Sequence, residues 1–227
     1  MQPLLRHRWD LTPKKAVELQ RQFAGGIILE DRPFPIITVC GLDVSYQKRA
    51  DDFFAAAVVL SYPAFEVIEI RTAVAKSPFP YVPGLLSFRE IPVLALALAQ
   101  LECRPSLLAC DGQGLAHPRR FGLACHLGLL YDIPSIGLAK SRLVGQFDIP
   151  GAARGSWSWL IDKQERIGQV VRTRDGVAPL FVSPGHRLSF DKARELALAL
   201  SPKWRLSEPT RLAHREVNRL RTMNNDR

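Results

Sequence analysis

The chain has 227 residues, a length that fits one domain of ordinary size. Its composition, 47% hydrophobic and 23% charged, is close to the globular average and excludes disordered and fibrous proteins. No apolar run reaches the roughly 20 residues that cross a membrane, and the N-terminus lacks the apolar core of a signal peptide. The 31 Lys and Arg against 22 Asp and Glu give a net charge of +9, which favours a polyanionic partner such as nucleic acid, although many basic proteins bind no specific anion.

The cysteines indicate a reducing compartment. Four of them occur without a C-x-x-C pair, which excludes a zinc ribbon or a disulfide scaffold. Cys40, Cys110 and Cys125 lie in apolar runs and are interpreted as small core residues. We therefore expect a cytoplasmic protein. Because the chain shows no linker, repeat or low-complexity segment, we also expect residues 1–227 to form one domain.

The first third of the chain predicts one helix and three strands. Thr12 and Pro13 mark the start of an amphipathic helix over 13–24, and Gly25 marks its end. Three runs rich in apolar and β-branched residues follow, and they predict an antiparallel meander over 36–46, 53–60 and 65–75.

The rest of the chain alternates between helical and extended patterns, which is typical of an α/β portion with parallel strands. Helices are predicted at 89–101, 118–130, 189–200 and 210–222. Strands are predicted at 106–110 and 134–139, with two further candidates at 167–173 and 178–182. The expected fold class is therefore α/β, with a mixed sheet flanked by helices.

Two aspartates occupy positions that are costly for a carboxylate. Asp43 lies inside an apolar strand, and Asp111 ends the buried run LLAC. Ligands of α/β sheets collect beyond the carboxyl ends of strands, and Mg²⁺ prefers carboxylates together with water and phosphate oxygens. Each Asp alone is better explained as a turn cap, since Asp-Gly is a common turn pair. Two such aspartates in a basic protein favour a metal site that cuts phosphodiesters.

Glu90 has two interpretations. The segment Ser87-Phe88-Arg89-Glu90 matches a capping box, in which the glutamate ties the helix start. Pro92 argues against that frame, because it lacks the N–H that a first-turn carbonyl needs. A helix that starts closer to Pro92 leaves Glu90 free to face the metal site, and we favour this interpretation.

A cluster of cations follows Asp111. His117 precedes Pro118, which is favoured in a first helical turn, so Arg119 and Arg120 are expected where the helix dipole disfavours cations. An anion held by these guanidinium groups and the backbone N–H groups would explain them, and two solvated arginines are the alternative. The backbone at Gly112 and Gly114 is expected to approach a ligand closely. Lys140, after the strand 134–139, is a third cation at a strand end.

A stiff aromatic segment precedes Gly84. Pro78, Pro80 and Pro83 bracket Phe79 and Tyr81, so both rings are expected to be held outward at little ordering cost. Nucleic-acid-binding proteins insert such rings between bases or stack them on displaced bases. The alternative is an aromatic ring folded back onto the edge of the core.

With these pieces in place, the chain resembles the endonuclease V family of deoxyinosine-directed nucleases over residues 36–214. The resemblance rests mainly on two long and unusual segments, PYVPGLLSFRE at 80–90 and DGQGLAHPRRFGLACHLGLL at 111–130. Four shorter motifs add to it: GLDVSY at 41–46, IGLAKSRL at 136–143, GHRLS at 185–189 and EPTRLAH at 208–214. The first 30 residues or so and the tail beyond His214 carry no specific match.

The resemblance implies a ribonuclease H-like fold with a mixed five-stranded sheet. It also implies hydrolysis, dependent on Mg²⁺ or Mn²⁺, of the second phosphodiester 3′ to the lesion, which leaves a 3′-hydroxyl and a 5′-phosphate. We expect DNA with deoxyinosine or other deaminated or mismatched bases as the partner, a water nucleophile activated by the metal, and a monomeric enzyme that binds no membrane.

Position by position, the resemblance makes Asp43, Asp111 and Glu90 metal ligands and Tyr81 the wedge that fills the gap left by the lesion base. His117, Lys140 and His214 match residues near the metal and the scissile phosphate, where Lys140 would offset charge and a histidine would assist proton transfer. The segments 112–115 and 82–85 are candidate walls of a base pocket whose N–H groups would bind the 6-carbonyl of inosine. The expected nucleic-acid contacts are Pro80, Tyr81, Pro83, Gly84, Gly112, Gly114, Leu115, Arg119 and Arg120.

Two other functions stay open. An endoribonuclease that acts on inosine in RNA would share the metal and phosphate chemistry, and only contacts to the 2′-hydroxyl would distinguish it. A lesion-binding module without cleavage is the non-enzymatic alternative. Three clustered carboxylates argue against that module, because a protein that only binds a polyanion gains nothing from them.

Overall fold

A computed structural model describes residues 1–33, 35–46, 52–77 and 79–225. The strands are β1 (Thr38–Tyr46), β2 (Asp52–Ser61), β3 (Val67–Lys76), β4 (Leu107–Cys110), β5 (Ser135–Ala139), β6 (Trp157–Asp162), β7 (Glu165–Val171) and β8 (Leu180–His186). The helices are α1 (Pro13–Ala24), α2 (Leu86–Ala99), α3 (Leu123–Tyr131), α4 (Phe190–Ala199) and α5 (Glu208–Asn225).

The described strands form one mixed sheet in the order β3-β2-β1-β4-β5-β8-β7-β6. The predicted meander is confirmed, since β2 pairs antiparallel with both β1 and β3. The predicted parallel portion is confirmed in β1-β4-β5. The sheet nevertheless has eight strands and not five, because β8, β7 and β6 continue it antiparallel beyond β5. The α/β class is correct, and the strand β6 was missed.

The helix boundaries differ from the prediction at two places that matter for the site. α1 begins as predicted, with Thr12 Oγ1 accepting the Lys15 N–H. α2 begins at Leu86 and contains Pro92, so the predicted start near Pro92 is wrong. α3 begins at Leu123 after Gly122, so the predicted helical turn at Pro118–Arg120 is also wrong. Arg120 adopts a φ of 57°, a left-handed conformation that a right-handed helix does not accommodate.

Hydrophobic clusters cover both faces of the sheet. One joins β1, β2 and β4 to α2 and α3, and a second joins β4, β5 and β8 to α4. Cys40, Cys110 and Cys125 have no exposed surface, as predicted, and Cys40 and Cys110 belong to the first cluster. All four cysteines are free. Among the described helices, none combines the length and the apolar character that a membrane span needs.

Candidate active site

Two neighbouring parallel strands bring the predicted aspartates together. Leu42 of β1 lies in register with Cys110, the last residue of β4, so Asp43 and Asp111 are the next residues along the chain in each case. The Asp111 N–H donates to the Leu42 carbonyl, 3.3 Å away, and continues the ladder to this point. Because the carboxyl ends of parallel strands share one edge, both carboxylates face the same opening, as the sequence predicted.

A glycine in β1 brings α5 close enough to complete the cluster. A Cβ on Gly41 would lie 2.0 Å from the Pro209 carbonyl oxygen, so a larger residue would push α5 away. Because α5 packs this closely on β1, His214 Nδ1 of α5 can donate to Asp43 Oδ2 over 2.7 Å. The Asn218 side-chain amide donates to His214 Nε2 over 2.9 Å, which fixes the ring from its other side. Ligand atoms of Asp43, Asp111 and His214 all lie within 4.8 Å of one another.

Glu90 reaches the same cluster from the second turn of α2, where it is 9% exposed. Burial raises the pKa of Glu90 to about 8, and the charges of Asp43 and Asp111 add to the shift. The capping box is absent, because the Ser87 hydroxyl pairs instead with His126 Nδ1 at 3.1 Å. Glu90 therefore faces the acidic cluster as we favoured, although the helix starts earlier than we reasoned.

The cluster lines an open groove of about 470 Å³. Burial raises the pKa of Asp43, and the neighbouring Asp111 adds to that shift, so the carboxylates repel one another in the absence of a counter-charge. Lys140, which follows β5, pairs with Asp111 and offsets part of this charge. The groove is lined by Asp43, Val44, Ser45, Glu90, Asp111, Lys140, His214, Asn218 and Arg221. Asp43, Asp111 and His214 form a donor set that fits a divalent cation, and Glu90 lines the same groove.

The wedge loop, residues 79–85, has no regular structure and lies beside this groove. The Tyr81 side chain is 67% exposed, in accord with a ring held outward. The same expectation is wrong for Phe79, which is buried and stacks on Phe88 with ring centroids 5.6 Å apart. The Arg89 guanidinium lies 6.0 Å from the Tyr81 ring centroid and supports the ring from the side of α2. Pro78 lies outside the described residues.

One carbonyl group holds the wedge loop in place. Gly84 adopts a φ of 79°, which favours glycine, and its carbonyl oxygen accepts three hydrogen bonds. The donors are Gln20 Nε2 at 3.0 Å, His117 Nε2 at 2.9 Å and Arg119 Nη2 at 2.6 Å. Gln20 also accepts from Arg119 Nε at 2.5 Å. The loop is thus tied to α1 and to the segment before α3.

The positions of His117, Arg119 and Arg120 change the interpretation of the predicted anion site. Burial and the charge of Arg119 lower the pKa of His117 to about 4, so its ring is neutral at pH 7. Arg120 pairs with Asp162 at 2.9 Å and with Glu165 at 2.8 Å. Neither arginine stands at a helix N-terminus, so the dipole argument for an anion there fails. Their contact with nucleic acid stays a prediction.

A pocket of about 330 Å³ is lined by residues 81–84 of the wedge loop and by Gly112 and Gln113. Of the predicted walls, Leu85, Gly114 and Leu115 do not line it. Gly114 is required by internal packing, since a Cβ there would lie 2.3 Å from the Pro184 carbonyl oxygen. The N–H groups of Gly112, Gly114 and Leu115 already donate to Cys110, Ser183 and Pro184. Within the described part of the chain, the N–H groups of Val82, Gly84 and Gln113 make no hydrogen bond. Of the backbone N–H groups in the two predicted walls, 82–85 and 112–115, these three are therefore the ones that could bind a base.

Sequence reasoning missed four residues of this region: Gln20, Arg89, Asn218 and Arg221. Arg89 stands between the wedge and Glu90 in one motif, so its place in the sequence was an available signal. Asn218 and Arg221 follow His214 at helical spacing and share its face of α5, a second signal that the sequence contained. No local pattern marked Gln20, whose partners lie 64 or more positions away.

The fold and the site define an α/β protein with an acidic groove at the carboxyl ends of β4 and β5, whose side chains could hold a cation. Comparison with known proteins identifies the family: the endonuclease V family model matches residues 21–215, and the chain belongs to that family. Endonuclease V of Myxococcus xanthus is 49% identical over 215 residues, which cover 94% of this chain and 92% of that protein.

Solved structures agree with this assignment. The crystal structure of endonuclease V from Streptomyces avermitilis superimposes with a TM-score of 0.91 at 44% identity, and the match covers 96% of each chain. A Ciona intestinalis endonuclease V, crystallised with a 24mer DNA containing an inosine followed by a ribo-adenosine, has a TM-score of 0.81 at 28% identity. That match covers 92% of this chain and 98% of the other. The predicted family and fold class are thus confirmed.

Proposed function

We propose that this endonuclease V family member is a DNA repair nuclease that recognises deoxyinosine and hydrolyses the second phosphodiester 3′ to it, leaving a 3′-hydroxyl and a 5′-phosphate. The observation that carries the proposal is that the acidic groove and the pocket beside the wedge loop adjoin each other. Asp111 and Lys140 line both the acidic groove and the pocket beneath the wedge loop. A strand whose extruded base enters the pocket would therefore present a nearby phosphodiester to the carboxylates.

The acidic groove suits Mg²⁺, and Mn²⁺ would serve in its place. Asp43, Asp111 and Glu90 would hold the ion, and His214 lies within reach as a further donor. Bound there, the ion would supply Lewis-acid chemistry, namely an activated water and neutralisation of charge at phosphorus. Burial is the main cause of the raised pKa values of Asp43 and Glu90, and the double charge of the ion would offset the mutual repulsion that adds to them.

The side chains around the carboxylates have roles of their own. The Lys140 ammonium, already paired with Asp111, would offset charge that develops on the phosphate oxygens. His214 is half exposed and anchored by Asp43 and Asn218, so its ring is placed for proton transfer at the groove. His117 is a weaker candidate for that step, because its ring is buried and lines the neighbouring pocket and not the acidic groove.

Selectivity would come from base extrusion. A weakly paired inosine costs less to flip than a matched base, and the exposed Tyr81 ring would fill the vacancy. Inosine differs from adenine in having a carbonyl at the 6-position, which needs a donor. The N–H groups of Val82, Gly84 and Gln113 are available for it, so recognition would use the backbone on both sides of the pocket.

An inosine-specific endoribonuclease is the second candidate. The observation that favours it is the ribo-adenosine after inosine in the DNA bound by the Ciona intestinalis relative. A 2′-hydroxyl on the nucleotide after inosine is thus compatible with binding by a family member.

As part of our main proposal, the enzyme is cytoplasmic and monomeric, and the four free cysteines agree with a reducing compartment.

A nicking assay separates these functions. The substrates are a DNA duplex with one inosine, its undamaged twin and a matched RNA with one inosine, each incubated with Mg²⁺ and with EDTA. We expect a Mg²⁺-dependent cut in the inosine DNA, one nucleotide beyond the 3′ phosphate of inosine. A preferred cut in the RNA would assign the ribonuclease function. Tight binding without a cut in any substrate would leave a lesion-binding module and contradict our mechanism.

A further inference from the structure

The groove contains one cation that the proposed chemistry does not use. Arg221 lines the groove together with the carboxylates, and it lies beyond residue 215, where the match to the family model ends. Its guanidinium Nη1 donates to the Ser45 hydroxyl over 3.0 Å. Ser45 stands two residues after Asp43 on β1, so this bond ties the far part of α5 to the strand that carries the acidic cluster.

The charges around Arg221 point to an anionic ligand. Lys140, the other cation that lines the groove, is paired with Asp111. Arg221, by contrast, forms no ion pair with any described carboxylate, and its bond to Ser45 is to a neutral hydroxyl. A guanidinium has five N–H donors, so one bond to Ser45 orients the group and leaves most donors for another partner. Arginine is well suited to bind phosphate oxygens through two parallel N–H groups.

The position of Arg221 along α5 separates it from the reacting atoms. His214, Asn218 and Arg221 follow one another at i, i+4 and i+7, so they line one face of the helix. At 1.5 Å per residue, Arg221 lies about 10 Å along the axis from His214. It is therefore placed to meet a phosphate that flanks the scissile one.

We propose that Arg221, oriented by Ser45, is a phosphate-binding residue that holds the backbone of the substrate strand next to the cleavage site. The inference rests on the proposed nuclease function, which supplies the strand in the groove. Arg221 would add affinity and register without taking part in the chemical step.

The test compares Arg221→Met with Arg219→Met, which removes an exposed arginine of the same helix that pairs with Glu216. The dissociation constant for a fluorescent inosine DNA is measured in EDTA at several salt concentrations. We expect Arg221→Met to weaken binding about 5- to 10-fold and to lower the slope of log Kd against log salt by about 0.7–0.9, the value of one phosphate contact. Arg219→Met should keep the wild-type slope. Equal losses in both variants, or none in Arg221→Met, would overturn the proposal.

A second measurement locates the phosphate. Single uncharged methylphosphonates replace, one at a time, the three phosphates on each side of the expected cut. Wild-type binding should weaken at one flanking position at which Arg221→Met is insensitive, and Ser45→Ala should reduce the wild-type loss there. The same pattern in wild type and Arg221→Met would refute the contact. Because no step requires cleavage, a failure of the proposed nuclease activity would appear in the nicking assay alone and would be distinguishable from a failure of this inference.

Discussion

In the acidic groove, the functional side chains come from or directly follow five regular elements, whereas the wedge loop at 79–85 has no regular structure. Asp43 stands in β1 and Glu90 in α2, while Asp111 and Lys140 follow β4 and β5, and His214 belongs to α5. The wedge loop instead depends on the carbonyl of Gly84, which accepts from three side chains.

The functional side chains of the two regions are therefore positioned in two different ways. The groove positions charged groups through strand register and helix packing, so loss of one side chain leaves the others in place. The wedge loop is positioned through side-chain hydrogen bonds to one carbonyl, so a change far from Tyr81 can move Tyr81. We therefore expect substitutions in the groove to abolish chemistry and substitutions around the loop to reduce lesion preference.

The sharpest test of this separation is Asp111→Asn. The change removes one charge from the acidic cluster and keeps the size of the side chain, so we expect cleavage to fall by about 10³-fold or more. Binding to inosine DNA should stay close to the wild-type value, because phosphate contacts and Tyr81 are unchanged. Single-turnover cleavage and fluorescence anisotropy measure the two quantities. Residual cleavage near the wild-type rate would contradict the role of the acidic groove.

The next largest effect is expected for Tyr81→Ala. Removal of an aromatic ring that stacks on a base costs about 1–3 kcal/mol, so the ratio of kcat/KM for inosine DNA to undamaged DNA should fall about 5- to 150-fold. Because Tyr81 is 67% exposed, the melting temperature should not change. Tyr81→Phe keeps the ring and should behave like the wild type. Equal losses on every substrate would show that Tyr81 is not a wedge.

A smaller effect is expected for Gln20→Met, which changes no residue of the loop itself. The variant leaves Gly84, Phe121 and Arg119 each without one hydrogen-bond partner, so stability should fall by about 2 kcal/mol. Lesion preference should fall about 3- to 10-fold, measured by the same kcat/KM ratio. Gln22→Met, at an exposed position of α1, is the matched control. A destabilised variant with unchanged lesion preference would show that the loop does not need this support.

The same contrast explains how far the sequence predicted the structure. The predicted proximity of Asp43 and Asp111 is observed, because apolar runs mark β1 and β4 and Asp43 lies where β1 passes the end of β4. Lys140 follows β5 and lines the same groove. The ties of the wedge loop were invisible, since Gln20 and Arg119 meet Gly84 through long-range contacts that no periodic pattern encodes.

The wrong element boundaries have local physical causes. The missed strand β6 joins β7 through Lys163 and Gln164, which both adopt positive φ, although such turns usually contain Asn or Gly. The early start of α3 was predicted from Pro118, but the chain turns through the left-handed Arg120 before the helix begins. Arg120 instead pairs with Asp162 at the end of β6. The missed strand and the misplaced helix start therefore meet at this one ion pair.

The prediction most specific to the groove concerns Glu90 and applies to stability, not to cleavage. Its pKa is about 8 in the folded, metal-free protein, against 4.5 for an ordinary glutamate. Below pH 4.5 both the folded and unfolded states carry the proton, so the group costs nothing there. As the pH rises from 4.5 to 8, the unfolded state loses the proton first, and the folded protein loses stability until about pH 8. Glu90→Gln should therefore stabilise the metal-free protein by roughly 2–4 kcal/mol at pH 8–9 and by little at pH 5.

Urea unfolding in EDTA at pH 5, 7 and 9 measures this difference, and Glu66→Gln, at an exposed position, is the control. Addition of Mg²⁺ at pH 8 should reverse the order, because the wild type regains stability from a ligand that Glu90→Gln holds less well. If the stability of Glu90→Gln and the wild type changed in parallel with pH, Glu90 would not be the buried, charge-crowded carboxyl of the acidic groove. The groove would then be a site of two carboxylates, positioned by the β1–β4 register alone.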